Sequence, residues 1–383
     1  VILALTGRKR LHYIHTQLWL HSAVGIPWTA REKVLTLFAE RGEQAGPSGT
    51  DQIFAARSMV HSSVFGKGMK EFSIRIGVHV SIAGGIEKSV ARAQALGCST
   101  MQIFARNPRG WKASPLPQRS IAAFREAIAA SQIAPVVIHT PYLLNLASGD
   151  GVLHGRSVLA LSEDVNRAKA LGASFVVTHL GSSRGRNGVW GRRQIVKGLK
   201  TVMKQEGPVT ILLENSAGGG DSVGSSWEEL AEILLAVGFE DRLGVCFDSC
   251  HGYAAGYDFG SPAKAERLVR RIDQTIGLRR LALLHLNDCA GPFGGHLDRH
   301  QHIGKGHIGI HGFRSLVAHP ALQQLPMILE TPKKHPLDDW RNLNRIRTLL
   351  PEKAAKADGP GRPRTLPLQG ETSGRRKYPQ NRE

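Results

Sequence analysis

The sequence predicts an α/β protein, a closed (β/α)8 TIM barrel with a metal cluster at the carboxyl ends of its strands. Three observations carry that expectation. Between Ile74 and Leu350, short β-prone runs alternate with stretches of helical apolar spacing, and eight such units are what a closed parallel barrel requires. Six of the runs end on His, Asp or Glu, and in a parallel barrel the strand ends meet at one face. The 383 residues exceed the roughly 250 that such a barrel takes, which leaves room for additions.

Residues 1–68 show no sustained period and include the turn-rich Gly46-Pro47-Ser48-Gly49. They are expected to be a poorly ordered extension, with the functional protein starting at Met69; a flexible targeting or DNA-tethering arm is the alternative. Strands are expected near 74–80, 100–104, 135–139, 174–179, 208–214, 242–248, 280–286 and 326–330. The first helix should follow Ala83-Gly84-Gly85, with others over 119–132, 156–171, 190–204, 227–237, 261–276 and 337–350. Ser226 precedes Trp227-Glu228-Glu229, an N-cap followed by the acidic first turn that a helix dipole favours. The connection from Asn287 to Pro326 is long and rich in Gly and His, and a loop of that length is usually functional. The domain proper is thus 69–350, and the Pro, Gly, Arg and Lys-rich segment 351–383 should be a basic disordered tail.

No apolar run is long enough to cross a bilayer, and the Val1 to Leu5 run precedes Arg8-Lys9-Arg10, the wrong order for a secretory signal. A cytoplasmic location is expected. Four cysteines are few for this length, so a disulfide framework is not expected and a reducing compartment fits. Cys246 and Cys250 have the chemistry of ligands, but Cys246 lies within an apolar run and reads more readily as a small buried hydrophobe. The formal charge is +19; the two terminal segments carry +4 each, leaving +11 on residues 69–350. A folded basic surface of that size points to a polyanionic partner, nucleic acid above all.

The stretch from Leu243 to His251 shows the ligand pattern most clearly: the apolar Val245-Cys246-Phe247, then Asp248, then His251 three residues later. The same arrangement delivers His139, His179, Glu214, His285 and Glu330 from the other runs. A single such residue is more often a structural hydrogen-bonder, but six at successive strand ends converge. In the long seventh connection, Asp298 and His300 are two apart and would face the same way in extended chain, so that with His251 they form a three-ligand site. The remaining six residues suffice for two more ions if a carboxylate bridges them, and such bridging sets cations about 3.5–4 Å apart, the spacing used in attack on phosphate. Mixed His and carboxylate ligation favours zinc or manganese over magnesium.

Several segments are specific enough to be compared with a known family: His139-Thr140-Pro141-Tyr142-Leu143-Leu144-Asn145-Leu146-Ala147-Ser148, Leu213-Glu214-Asn215-Ser216-Ala217-Gly218, Gly244 to His251, His285-Leu286-Asn287-Asp288, Asp298-Arg299-His300 and Leu329-Glu330-Thr331. In order and spacing they resemble the endonuclease IV family of apurinic/apyrimidinic endonucleases, over roughly residues 74–350. The resemblance implies three zinc ions. His139, His179 and Glu214 would hold the first; Glu214 would bridge to a second held by Asp248, His285 and Glu330; His251, Asp298 and His300 would hold the third. It also implies that Arg109, within Arg106-Asn107-Pro108-Arg109-Gly110-Trp111, enters the duplex at the lesion together with Tyr142 and Leu143. These offer a cation, a stacking ring and an apolar wedge. Without the resemblance they read as surface residues.

The implied reaction is hydrolysis of the phosphodiester 5′ to an abasic site in duplex DNA, leaving a 3′-hydroxyl and a 5′-deoxyribose phosphate, with zinc lowering the pKa of bound water to about 7 to make the nucleophile. The implied partner is abasic duplex DNA, with no membrane, and the chain is expected to be a monomer. Gln301 and Lys305 stand where acidic residues are expected in many relatives, and His307 is an added imidazole; none occupies a ligand position. His79 and Ser81 end the first strand and are expected to support the site or the fold. Two rival readings stand beside this one. A sugar isomerase or epimerase would use two divalent ions at the same strand ends, but leaves the third site and the basic surface unexplained. A non-catalytic zinc-containing nucleic-acid-binding protein would more often use closed, Cys-rich sites.

Overall fold

A computed structural model describes residues 74–351 except 239. The expected extension over 1–68 and the expected tail beyond Pro351 lie outside the described residues. The eight principal strands are β1 (Ile76–Val78), β2 (Met101–Phe104), β3 (Val136–His139), β4 (Phe175–Thr178), β5 (Thr210–Glu214), β6 (Leu243–Asp248), β7 (Leu281–His285) and β10 (Met327–Leu329). They form one sheet in the order β1-β10-β7-β6-β5-β4-β3-β2, every pairing parallel.

The barrel closes between β1 and β2. There the His79–Gln102 bridge, the Val80 amide donating to the Gln102 carbonyl at 2.7 Å and the Ser99 amide donating to the Ile76 carbonyl at 2.9 Å complete the circle. Closure needs a glycine: a Cβ on Gly77 would stand 1.8 Å from the Thr100 carbonyl oxygen.

The helices are α1 (Lys88–Ala95), α2 (Gln118–Ala129), α3 (Gly151–Leu171), α4 (Gly188–Met203), α5 (Trp227–Val237), α6 (Ser249–Ala254), α7 (Pro262–Thr275), α8 (Gly309–Val317), α9 (Pro320–Gln323) and α10 (Asp338–Arg347), of which α6 is a buried turn running on from β6. Ser226 caps α5 as expected, its hydroxyl accepting from the Glu229 amide at 3.2 Å. Helix α3 starts before the expected 156, because the Asp150 carboxylate accepts from the Val152 and Leu153 amides at 2.8 and 3.2 Å.

The seventh connection differs from the long loop the sequence suggested. It folds into an antiparallel pair, β8 (Asp288–Cys289) with β9 (His300–Gln301), followed by α8 and α9. Its glycines hid the helix from a reading of apolar periodicity. The fully buried carboxylate of Asp288 gathers this segment, Oδ1 accepting from the amides of Cys289 (2.9 Å), Ile308 (3.0 Å) and Gly309 (3.4 Å), and Oδ2 from Gly306 (3.0 Å). A Cβ on Gly306 would come within 2.4 Å of the Cys289 carbonyl oxygen, so the turn depends on glycine there.

Two layers of side chains fill the barrel. Val137, Val177, Leu212, Cys246, Leu283 and Ile328 form a small apolar cluster of their own, all fully buried and separate from the larger core between strands and helices. That inner cluster sets the stage for everything above it.

Candidate metal centre

Successive side chains of a strand alternate between faces, so the residue two beyond each inner apolar residue also points inward, one layer higher. Those residues are His139, His179, Glu214, Asp248, His285 and Glu330, the six strand-end ligands expected from the sequence. A bulge contributes to their alignment. Val245 pairs with Leu281 but Cys246 with Leu283, and this shift brings Asp248 level with His285.

The six meet above the apolar plug. Glu214 stands at the centre with its two oxygens facing different partners: Oε2 lies 3.2 Å from His139 Nε2 and 3.3 Å from His179 Nε2, while Oε1 lies 2.9 Å from His285 Nδ1. His285 Nδ1 is also 3.2 Å from Glu330 Oε2 and 4.0 Å from Asp248 Oδ2. Helix α6 and strand β9 bring up a third group, with His251 Nε2 3.0 Å and His300 Nε2 3.8 Å from Asp298 Oδ1. His139, His179 and Glu214 thus make one set with ligand atoms in mutual reach; Glu214, Asp248, His285 and Glu330 make a second; His251, Asp298 and His300 make a third.

Hydrogen bonds on the far side of each ring aim the candidate ligand nitrogens. His139 Nδ1 meets the Thr140 carbonyl at 2.7 Å, His251 Nδ1 the Asn215 carbonyl at 2.9 Å and His300 Nδ1 the Glu330 carbonyl at 3.3 Å, which turns each Nε2 toward the cluster. Asp248 is fixed by Asn215, whose Oδ1 accepts from its amide at 2.7 Å, and by Asn287, whose Nδ2 donates to its Oδ2 at 2.6 Å. Asn287 Oδ1 also accepts from the Glu330 amide at 2.7 Å. Sequence reasoning assigned no role to Asn215, Asn287 or Gln102, although the two asparagines lie inside the quoted motifs.

The donor set fits cations. Four carboxylates, Glu214, Asp248, Asp298 and Glu330, share this small volume and require positive charge among them. Among the described residues, the Nε2 atoms of His251 and His300 are buried without a hydrogen-bond partner although carboxylate oxygens lie 3.0 and 3.6 Å away, the arrangement expected of donor atoms converging on a common point. Burial by itself would raise the Glu214 carboxyl, yet His179, His285 and His139 hold it well below the usual carboxylate range. Burial opposes the charged form of His251 too, and Asp248 and Asp298 overcome it and hold that imidazole well above its usual range. With carboxylates and imidazoles only, protons supply the missing charge; a divalent ion can replace them. Cys246 also has its Sγ near Glu214 and His285, but burial pushes its thiol up to about 12, so it serves as part of the apolar plug.

The expected DNA-contacting residues stand on loops at the same mouth. Tyr142 is 67% exposed, with its ring edge-on to Phe104 at 5.3 Å and 6.5 Å from His139. Leu143 beside it is half-buried and Arg109 is exposed. The Arg109 loop is tied down behind: Arg106 pairs with Asp164 at 2.9 Å and Glu163 at 2.8 Å, and Arg167 donates to the carbonyls of Ala105 and Ser114. His79 lies under this rim, and burial pushes its imidazole down to about 4. Next to His300, a cleft of about 470 Å³ is lined by Arg299, Gln301, His302 and Lys334.

Comparison with known proteins places this architecture. A family model described as a xylose isomerase-like TIM barrel matches residues 90–350. The chain is 44% identical over 278 residues to a probable endonuclease 4 from Methanoculleus marisnigri, a match covering 72% of this chain and 99% of the relative. Among solved structures, endonuclease IV from Thermus thermophilus is similar with a TM-score of 0.64 and 38% identity, over 72% of this chain and 98% of that one. A D-tagatose 3-epimerase-like protein, at TM-score 0.58 and 22% identity over 74% of this chain and 99% of that one, shares the fold alone. Among the described residues no helix is long and apolar enough to cross a membrane.

Proposed function

The chain belongs to the endonuclease IV family, and from that premise we propose that it cuts duplex DNA on the 5′ side of an abasic site, leaving a 3′-hydroxyl and a 5′-deoxyribose phosphate. The observation that carries this reading is the placement of Glu214, one carboxylate oxygen facing His139 and His179 and the other facing His285, beside a separate set of His251, Asp298 and His300. Three zinc ions fit these residues, with manganese as the second choice. When bound, such ions supply Lewis acidity, and with it a nucleophile at neutral pH and relief of the charge that develops on phosphate.

The chain's own residues do the rest. Glu214 holds two donor sets in fixed relation, and its burial prevents it from swinging to solvent. The apolar plug beneath keeps water from approaching the cluster from below. A recessed site can reach a sugar-phosphate only if the duplex opens, which costs a few kcal/mol and is least costly where a base is already missing. Tyr142, Leu143 and Arg109 stand at the mouth to fill that gap, and the basic cleft beside His300 suits the flanking phosphates. Four buried thiols without disulfides accord with a cytoplasmic setting.

A duplex carrying one abasic analogue, incubated with the zinc-loaded protein and followed by end-group analysis, tests the reading. A nick with the stated ends is expected; an intact duplex overturns it. Conversion of a ketose to an aldose with added manganese would favour the sugar-isomerising alternative instead.

A further inference from the structure

Gln102 is a fully buried amide in the middle of an otherwise apolar strand, and its three polar contacts leave it little freedom. Its Nε2 lies 2.5 Å from Glu330 Oε1 and 3.0 Å from His79 Nδ1, and its Oε1 lies 2.9 Å from His285 Nε2. A carboxylate accepts hydrogen bonds and never donates, so the amide nitrogen must be the atom that faces Glu330. The amide oxygen then faces His285, and His285 Nε2 must carry a proton to meet it. The second amide proton points at His79 Nδ1, which must therefore be a lone pair.

We infer that Gln102 is a positioning residue that sets two imidazoles at once, holding His285 with Nδ1 toward the carboxylates of Glu214 and Glu330 and holding neutral His79 with its proton on Nε2. Side chains on three strands are thereby locked by one amide: His79 just past β1, His285 at the end of β7 and Glu330 just past β10. His79 Nε2 is left as a buried donor with no partner among the described residues, at the floor of the mouth beside Phe104 and His139. Without Gln102, His79 Nδ1 still has Glu330 Oε1 at 3.4 Å, and that carboxylate would draw the proton to Nδ1. The inference takes the metal centre from the reading above, but its imidazole limb can be tested in metal-free protein.

The experiment uses the full chain and the near-isosteric Gln102→Met. Nitrogen-15 NMR of the histidine rings should show His79 protonated on Nε2 in the parent and on Nδ1 in the variant. Titration of metal-free protein with zinc against a chelator should show that one equivalent binds about 10- to 100-fold more weakly in the variant, the usual loss when a ligand histidine loses its outer hydrogen bond, while the others keep parental affinity. An Nδ1 proton on His79 in the parent overturns the inference even if the variant does not fold. An unchanged tautomer in the variant, or parental affinity for every equivalent, overturns it as well. A parent that binds no zinc tightly but shows the expected His79 tautomers sinks the metal centre and leaves the role of Gln102 at His79 standing.

Discussion

The floor of the barrel mouth and the loops above it carry the same proposed reaction but are held in different ways. Glu214, Asp248 and His285 are buried at the ends of strands, and each is gripped by neighbours on other strands. Arg109 and Tyr142 are exposed on loops, tied to the barrel mainly through the residues that flank them. Strand-borne groups are placed in advance, as a charged cluster must be if its cost of burial is to be met. Loop-borne groups can adjust to a partner whose shape changes on binding.

The largest effect should come from the floor. Glu214→Gln keeps the side-chain volume but removes the charge shared by two donor sets, and cleavage should fall by roughly three orders of magnitude or more, about 4 kcal/mol in barrier. Metal analysis should find about three zinc ions in the parent and fewer in the variant. Circular dichroism should show the barrel intact. Parental nicking by this variant would erase the distinction between floor and loops.

Next comes the anchor of the Arg109 loop. Arg106→Leu leaves the buried Asp164 without its cation, and breaking such a pair costs about 3 kcal/mol, readable in urea unfolding. Burial already raises the Asp164 carboxyl to about 6 in spite of Arg106. A carboxyl raised on folding favours the folded state below its unfolded pKa and loses that contribution as pH rises through the folded value. The variant's deficit should accordingly be larger at pH 8 than at pH 5, where Asp164 can take a proton. An equal deficit at both would mean the loop is not anchored through this charge.

Smaller still is the effect of the reading residues themselves. Arg109→Ala and Tyr142→Ala should each weaken binding of abasic duplex by roughly tenfold, in line with about 1–3 kcal/mol for an aromatic stacked on a base, with zinc content and melting temperature unchanged. Loss of zinc in either variant would move that residue from the loops to the floor. At the bottom of the scale, Glu228→Gln on the outer helix α5 removes only an exposed pair with Arg271 at 2.7 Å, and stability should change by no more than about 0.5 kcal/mol.

The same contrast explains what could be read from the sequence. An apolar run followed by a His, Asp or Glu two positions beyond an inward residue is a local pattern, and six strands repeat it, so both the barrel and the convergence of these side chains at its mouth were legible. How the ligands divide among ions depends on which oxygen of Glu214 faces which strand, and adjacency across a barrel is not written in any one strand. Gln102 left one trace, a polar residue inside Met101–Phe104, but its meaning lies largely in His285 and Glu330, 183 and 228 positions away. In the seventh connection the glycines that permit the tight turn at Gly306 also broke the periodicity by which α8 would have been found. Tyr142 and Leu143 offered only their chemistry, and only the family resemblance marked them out.

Asp288 bears on what happens when metal is scarce. Its carboxylate gathers four amides of the seventh connection without using any of the cluster's ligand atoms, so the segment that presents Asp298 and His300 is shaped before any ion arrives. If the proposed metal centre is right, a chelator should abolish cleavage while leaving this segment folded. On the three-zinc reading proposed above, readdition of zinc to the chelated protein should restore cleavage without a refolding step.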